Sequence, residues 1–399
     1  MESRRDVSRW ARGPLNADRG ARWMLESLAR SAALNGKHQM VHNRSRVTRG
    51  SSAMSKIKNA CVAACLLGGF VLGANAAETY ATLESLDPRF DALIAPDTKI
   101  EKIADDLEWS EGPLWDAKTK SLLFSDIPRN VVMKWNAEKG VSRFLERSGY
   151  TGAVPFTGRE PGSNGLTFDL QGRLTLCQHG DRRISRREPD GKMTPLAVGF
   201  NGKKLNSPND LVFDSGGNLF FTDPPYGLPG TFKDPKKELD YQGVYRVAKD
   251  GAIKLLTKEL EAPNGLAFTP DYKTLYVANS QTTAAFWKAF PVNADGSLGP
   301  ARVFYDATKL WKEGDGVPDG MKIDIHGNVF ATGPGGVLVF TPDGTLLGRI
   351  LTGVPTSNVA WGEDGATLFV TANHRVLRLV TKTQGMPLPV DLVSTKGNP

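Results

Sequence analysis

The stretch APNGLAFTPDYKTLYVANS, residues 262–280, holds a Pro-Asn-Gly turn, an apolar run, a second turn and a second apolar run. A single Asn-Gly is an ordinary turn signal. Here the whole unit recurs in five further places: SEGPLWDAKTKSLLFSD (110–126), GSNGLTFDLQGRLTLCQHG (162–180), SPNDLVFDSGGNLFFTDPP (207–225), VPDGMKIDIHGNVFATGPG (317–335) and TSNVAWGEDGATLFVTANH (356–374). Each copy sets a polar residue before a short strand, then a turn rich in Asp, Gly or Lys, then a second strand. Further short strands follow most copies, such as VVMKWN (131–136), GVYRVAKDG (243–251), GVLVFTPDG (336–344) and RVLRLV (375–380). The units repeat about every 40–55 residues, a spacing typical of β-propeller blades. Alternating, β-branched runs bounded by turn chemistry read as strands, and no long segment after the leader carries helical periodicity. The predicted fold is therefore all-β, a six-bladed β-propeller with a central metal-binding channel.

This alignment also places residues. In a propeller the first strand of each blade lines the channel, and the second runs antiparallel beside it. The start of the first and the end of the second then share one face. The residues opening the first strands form an inner ring: Glu111, Asn164, Asn209, Asn264, Asp319 and Asn358. Those closing the second strands form an outer ring of Asp126, His179, Asp223, Asn279 and Asn373, with Gly333 in the fifth blade. Taken singly, each Asn reads as a blade-entry residue that satisfies local backbone groups. Two carboxylates in the same inner column change that reading, because they repel unless a cation or a proton lies between them. Oxygen donors without cysteine suit calcium first, then magnesium or manganese, with zinc less well served.

Charge is unevenly spread. Residues 1–77 carry 13 Lys/Arg against 4 Asp/Glu, whereas residues 78–399 carry 37 against 39. The basic excess lies in the leader, so the folded part makes no electrostatic case for nucleic acid. From Met54 the chain reads MSKIKNACVAACLLGGFVLGANAAE, with two lysines, an apolar run and a small-residue end. That is the pattern of an export signal over 54–77. Its apolar run is shorter than the roughly 20 residues of a membrane span, so no stable membrane anchor is expected. The expected setting is the periplasm or the exterior. Residues 1–53, Arg-rich and aperiodic, read as a non-native or disordered basic extension ahead of a start at Met54. The propeller is expected over 78–399. Cys61 and Cys65 fall in the leader, which leaves Cys177 without a partner for an internal disulfide.

The EGPLW, PNGLAF and PDGM elements, in this order and spacing, resemble the SMP-30/gluconolactonase/luciferin-regenerating family over about residues 100–380. NSPNDLVF…FTDPPYGL (206–228) and SNGLTFD…CQHGDRRISR (163–186) are similar to its bacterial gluconolactonase branch. The resemblance implies one divalent metal in the channel, held by Glu111, Asn264 and Asp319. It also implies a place beside substrate or metal for Asn209. In the animal relatives an arginine stands two residues before that Asn. Here the position is Ser207, so substrate contacts there differ.

These residues point to metal-assisted hydrolysis of a sugar lactone such as glucono-1,5-lactone, a small-molecule substrate. Candidates for the general base are Asp319, Asp223 and Asp210. His179 is a candidate to orient substrate or protonate the leaving oxygen; its alternative is a turn histidine bonded to Asp181. Asn164, Asn209, Ser207 and Tyr226 are candidates for the substrate wall, and Tyr226 equally fits a plain β-turn. No Gly-Xaa-Ser-Xaa-Gly elbow is present, which argues against a serine hydrolase. Two alternatives stay open: a related hydrolase of another lactone or a phosphotriester, and a non-catalytic, calcium-containing binding propeller. The loops at 150–162 and 232–242 are expected to roof the pocket.

Overall fold

The computed structural model describes residues 79–312 and 314–395. The expected extension at 1–53 and leader at 54–77 lie outside the described residues.

Six antiparallel sheets succeed one another along the chain. Blade 1 comprises Ser110–Asp116, Ser121–Asp126, Val131–Asn136 and Gly140–Glu146. Blade 2 comprises Ser163–Phe168, Leu174–Gln178, Arg183–Arg187 and Met193–Ala197. Blade 3 comprises Leu211–Phe213, Leu219–Asp223, Gly243–Val247 and Ile253–Thr257. Blade 4 comprises Pro263–Phe268, Thr274–Gln281, Ala284–Pro291 and Arg302–Asp306. Blade 5 comprises Met321–Ile323, Val329–Gly333, Gly336–Phe340 and Leu346–Leu351, with Thr82–Ser85 added outside. Blade 6 takes Asn358–Gly362, Thr367–Ala372 and Arg375–Val380 from the C-terminal part of the chain and its outermost strand, Ile100–Ala104, from the N-terminal part. Its two ends thus close the ring, a join the repeat alone does not reveal. The first strands touch in the order 1-2-3-4-5-6-1, which makes a closed six-bladed propeller.

The apolar runs explain the closure. A strand buried on both faces reads as continuously apolar, and alternate residues face opposite neighbours. Phe220 packs toward blade 4 with Phe268, their rings edge to face at 4.9 Å, while the adjacent Phe221 packs toward blade 2 beside Cys177 and Ile184. Tyr276 and Trp287 of blade 4 meet Leu338 and Phe340 of blade 5 in the same way. Among the described residues there are six apolar clusters of this kind, one at each blade–blade seam. Each large side chain so buried contributes about 1.5–3 kcal/mol. The seam between blades 5 and 6 is sealed by the short helix Pro88–Leu93, capped by Asp87, which inserts Phe90.

At one end of the channel Leu114, Leu166, Phe268, Ile323 and Trp361, from the far halves of the first strands, form an apolar layer that lines a cavity of about 70 Å³ with Met386–Pro389.

Candidate active site

The inner ring is built by bulges. In blades 1, 2 and 4 the register slips by one residue between Glu111 and Leu114, Ser163 and Leu166, and Pro263 and Leu266. In blade 3, Asn209 and Asp210 both bond to Thr222; in blade 5, Asp319 and Gly320 both bond to Thr332. Two residues therefore oppose one, which bends the strand and turns the polar side chain toward the channel. The residue after the ring position sits where the next blade arrives. A Cβ on Gly265 would lie 2.3 Å from the Asp319 carbonyl oxygen, and one on Gly320 would lie 2.0 Å from Asn358 Cγ. The Asn-Gly and Asp-Gly pairs thus meet a bulge and a close approach together.

Blade 6 departs from this pattern. Asn358 pairs regularly with Thr371 and is followed by Val359 rather than glycine. Its Oδ1 accepts from Val359 N at 2.9 Å, and its Nδ2 donates across the channel to Asp210 Oδ2 at 3.3 Å. Lys322 Nζ donates to Asn358 Oδ1 at 3.4 Å, and Leu211 N donates to Asp210 Oδ1 at 2.8 Å. Asp210, Asn358 and Lys322 therefore form a polar floor, and both oxygens of Asp210 are engaged in it. By contrast, no hydrogen bond joins the side-chain amides of Asn164, Asn209 or Asn264 to another of the described residues.

Above the floor stand Glu111, 3% exposed, and Asp319, 6% exposed. Glu111 Oε2 accepts from Gly112 N at 3.0 Å, while Asp319 Oδ1 is buried without a partner. Burial, with Asp210 and Glu160 adding repulsion, pushes the Glu111 carboxyl up to about 8. Burial, then the charges of Glu111, Asp210 and Glu160, pushes Asp319 well above the usual range. A divalent cation relieves these costs together, so two carboxylates with the uncommitted oxygens of Asn209 and Asn264 fit one. Among the described residues no three His, Cys, Asp or Glu side chains form a metal-holding group, so amide oxygens would have to complete the set.

The outer ring divides into scaffold and site. Asp126 accepts from Glu108 N and Trp109 N at 3.2 Å, Asp223 from Asn206 N at 2.8 Å, and Asn279 from Ala262 N at 2.9 Å. Each fastens the segment entering its own blade. Asp223 is fully buried, and that burial pushes its carboxyl up to about 7. In blade 2 the register gives the matching position to Gln178, which pairs with Ser163 as Asp126 pairs with Ser110. His179 lies one residue further on, fully buried, and neither ring nitrogen makes a hydrogen bond. The turn alternative fails, because Asp181 is taken by Thr151 and Arg183. Glu160 Oε2 stands 3.0 Å from His179 Nδ1, off the N–H direction. Sequence reasoning missed Glu160, which belongs to no repeat; its only signal was its place in the 150–162 loop.

Ser207 is buried and shapes the wall from behind. Its hydroxyl donates to Pro224 O and accepts from Gly227 N, both at 2.8 Å, which fixes the turn carrying Tyr226. Tyr226 Oη is buried without a partner, and its ring meets Phe232 of the 232–242 loop edge-on at 5.9 Å. Burial and then the charge of Asp319 push the phenol up. The 150–162 loop reaches the same wall, since Gly158 packs by Pro229. Unpartnered atoms of Asp319, Tyr226 and His179 thus look for partners at this end of the channel. Each costs about 1–3 kcal/mol unless water or a ligand satisfies it.

Comparison with known proteins agrees with this geometry. Residues 109–374 match the family model described as an SMP-30/Gluconolactonase/LRE-like region. The chain is 41% identical to a gluconolactonase of Zymomonas mobilis, over 77% of this chain and 88% of that protein. It is 27% identical to a pentonolactonase of Haloferax volcanii, over 65% of this chain and 80% of that one. A solved gluconolactonase of Xanthomonas campestris, 31% identical, superposes with a TM-score of 0.65, covering 77% of this chain and 99% of that one. By fold, motifs and family match together, this chain belongs to the SMP-30/gluconolactonase/LRE-like family.

Proposed function

We propose that this chain is an exported, metal-dependent lactonase that hydrolyses a sugar lactone of the glucono-1,5-lactone kind to the aldonic acid. The observation that carries this reading is the pair of buried carboxylates, Glu111 and Asp319, beside three uncommitted asparagines in a chain 41% identical to a gluconolactonase. Glu111, Asn264 and Asp319, with Asn209 beside them, would hold the ion, calcium before magnesium, manganese or zinc. A cation bound there supplies positive charge that polarises the lactone carbonyl. Asn164 and Asn209 offer amide N–H groups to the sugar hydroxyls, and Tyr226 closes the wall. Asp319 Oδ1, buried without a partner, would accept a proton or order a water. The floor of Asp210, Asn358 and Lys322, with the apolar layer beneath it, keeps bulk water from entering behind the substrate.

Export is supported by the leader at 54–77. Among the described residues no helix is long and apolar enough to cross a membrane.

The test is acid release from a lactone panel, with and without EDTA, in wild type, Glu111→Gln and Asp319→Asn. Wild type is expected to turn over glucono-1,5-lactone, lose activity in EDTA and recover it with calcium. Both variants should lose at least 100-fold in kcat/KM. Undiminished hydrolysis in both would overturn the metal-dependent reading. Tight calcium binding without turnover of any lactone would make the protein a binding propeller.

A further inference from the structure

His179 has no scaffold duty for its side chain. Its main chain is fixed, with its N–H donating to Gly162 O at 3.2 Å and its carbonyl accepting from Arg182 N at 3.1 Å. The tie to the entering segment that outer-ring residues provide elsewhere belongs to Gln178, whose Nε2 donates to Ser148 O at 2.8 Å while its Oε1 accepts from Arg183 and Ser185. Yet the imidazole is entirely enclosed, and the turn carrying Tyr226 is pressed against it: a Cβ on Gly227 would lie 2.5 Å from His179 Cβ. Glu160 is the acidic group beside it. The same carboxylate raises the Glu111 and Asp319 carboxyls and the Tyr226 phenol, so it shares their space at the channel mouth.

We infer that Glu160 and His179 act as a proton-handling pair in lactone opening, an inference that rests on the lactonase reading above. A carboxylate only accepts hydrogen bonds, so Glu160 holds the imidazole hydrogen on Nδ1 and leaves the lone pair on Nε2. That nitrogen lacks a partner in the structure, and a water or a sugar-lactone oxygen supplies it. A water oxygen bonds to the lactone carbonyl carbon while its proton passes to Nε2. The ring C–O bond then breaks, and the same proton passes to the departing ring oxygen. The product is the open hydroxy acid, and the imidazole returns neutral. His179 is the catalytic residue in this step. Glu160 is a positioning residue that acts through it. The misalignment at 3.0 Å is of the kind that tightens when substrate arrives.

The experiment is steady-state hydrolysis of glucono-1,5-lactone by wild type, Glu160→Gln, Glu160→Asp and His179→Gln, with the melting temperature of each. Glu160 is 22% exposed on a loop, so its variants should fold. Expected are a fall in kcat of about 10–100-fold for Glu160→Gln with KM held within about threefold, partial recovery in Glu160→Asp, and a loss of about 10²–10⁴ for His179→Gln. If His179→Gln fails to fold, the Glu160 pair decides alone. A Glu160→Gln protein that keeps kcat within threefold, or that changes KM only, overturns the inference while an active wild type leaves the lactonase reading standing. A wild type that opens no lactone overturns both.

Discussion

The two channel carboxylates make a sharp prediction about the protein in EDTA. Burial, with repulsion from Asp210 and Glu160, lifts Glu111 from 4.5 to about 8, and burial with the charges of Glu111, Asp210 and Glu160 moves Asp319 the same way. A carboxyl whose folded value is raised binds its proton more tightly folded than unfolded. The stabilisation is fully present below about pH 4.5 and is lost as pH rises through about 8. At about 1.4 kcal/mol per pH unit the Glu111 shift alone amounts to about 5 kcal/mol. Relaxation around the ionised form takes up part of this, leaving about 2–4 kcal/mol. For a folded part of this size that corresponds to a fall in Tm of about 3–6 °C between pH 5 and pH 8.5. The assay is thermal unfolding in EDTA across that range. Glu111→Gln should remove about half of the slope and melt higher than wild type at pH 8.5. Excess calcium should flatten the wild-type slope, because protons and cation compete for the same oxygens. A wild-type Tm that stays level in EDTA, or a slope untouched by Glu111→Gln, would refute the reasoning.

Three further outcomes follow from the packing. Gly320→Ala forces a Cβ to within 2.0 Å of Asn358 Cγ and disrupts the floor; denaturant unfolding should show a loss of about 1–3 kcal/mol, and a neutral change would mean that the close approach is not required. Asp223→Asn copies the amide that Asn279 uses at the matching place in blade 4, so it should fold and keep kcat within threefold; a drop beyond 100-fold would restore Asp223 as a general base. A chain beginning at Asp105 lacks Ile100–Ala104 and leaves the Arg375–Val380 edge unpaired; it should elute as aggregate in size-exclusion chromatography, and a monomeric, cooperatively folded product would show that the join is dispensable.

Blade number, inner ring and channel were legible because each is written in one contiguous motif. The polar residue, the glycine behind it and the apolar run are consequences of a bulge, a close approach and a strand buried on both faces. The polar residue and the apolar run repeat in every blade, and the glycine in four of them. Features that break the repeat were not legible. Closure by Ile100–Ala104 depends on a strand far from its partner, and Glu160 lies in a loop without a counterpart. His179 shared a column with Asp126 and Asn279 by eye, yet the hairpin of blade 2 is one residue shorter and gives their place to Gln178. Distinguishing Asn358 from Asn264 needed the structure as well, since only the pairing shows that blade 6 has no bulge.

The asymmetry of the channel follows from those departures. Six identical blade entries would give a symmetric tube, open at both ends and lined by water. Blade 6 enters without a bulge, and there Asn358 reaches across to Asp210, where Lys322 balances the charge. This crossbar and the apolar layer below it leave Glu111 and Asp319 in a one-ended recess of low polarity. Desolvation in that recess is the first cause of both raised carboxyls, ahead of any neighbouring charge. The same burial that makes the paired carboxylates costly would make a cation, and the electron-rich oxygen of a lactone carbonyl drawn to it, worth more there than in water. Opening the floor should therefore weaken cation binding without touching a proposed ligand. Lys322→Met tests this, since it strips the counter-charge from the crossbar and leaves Glu111, Asn264 and Asp319 in place. Calcium affinity measured by calorimetry should fall about tenfold or more as the Lys322–Asn358 bond is lost and water enters, outweighing the gain from removing a nearby positive charge. An unchanged affinity would mean that the ligand set works without its floor.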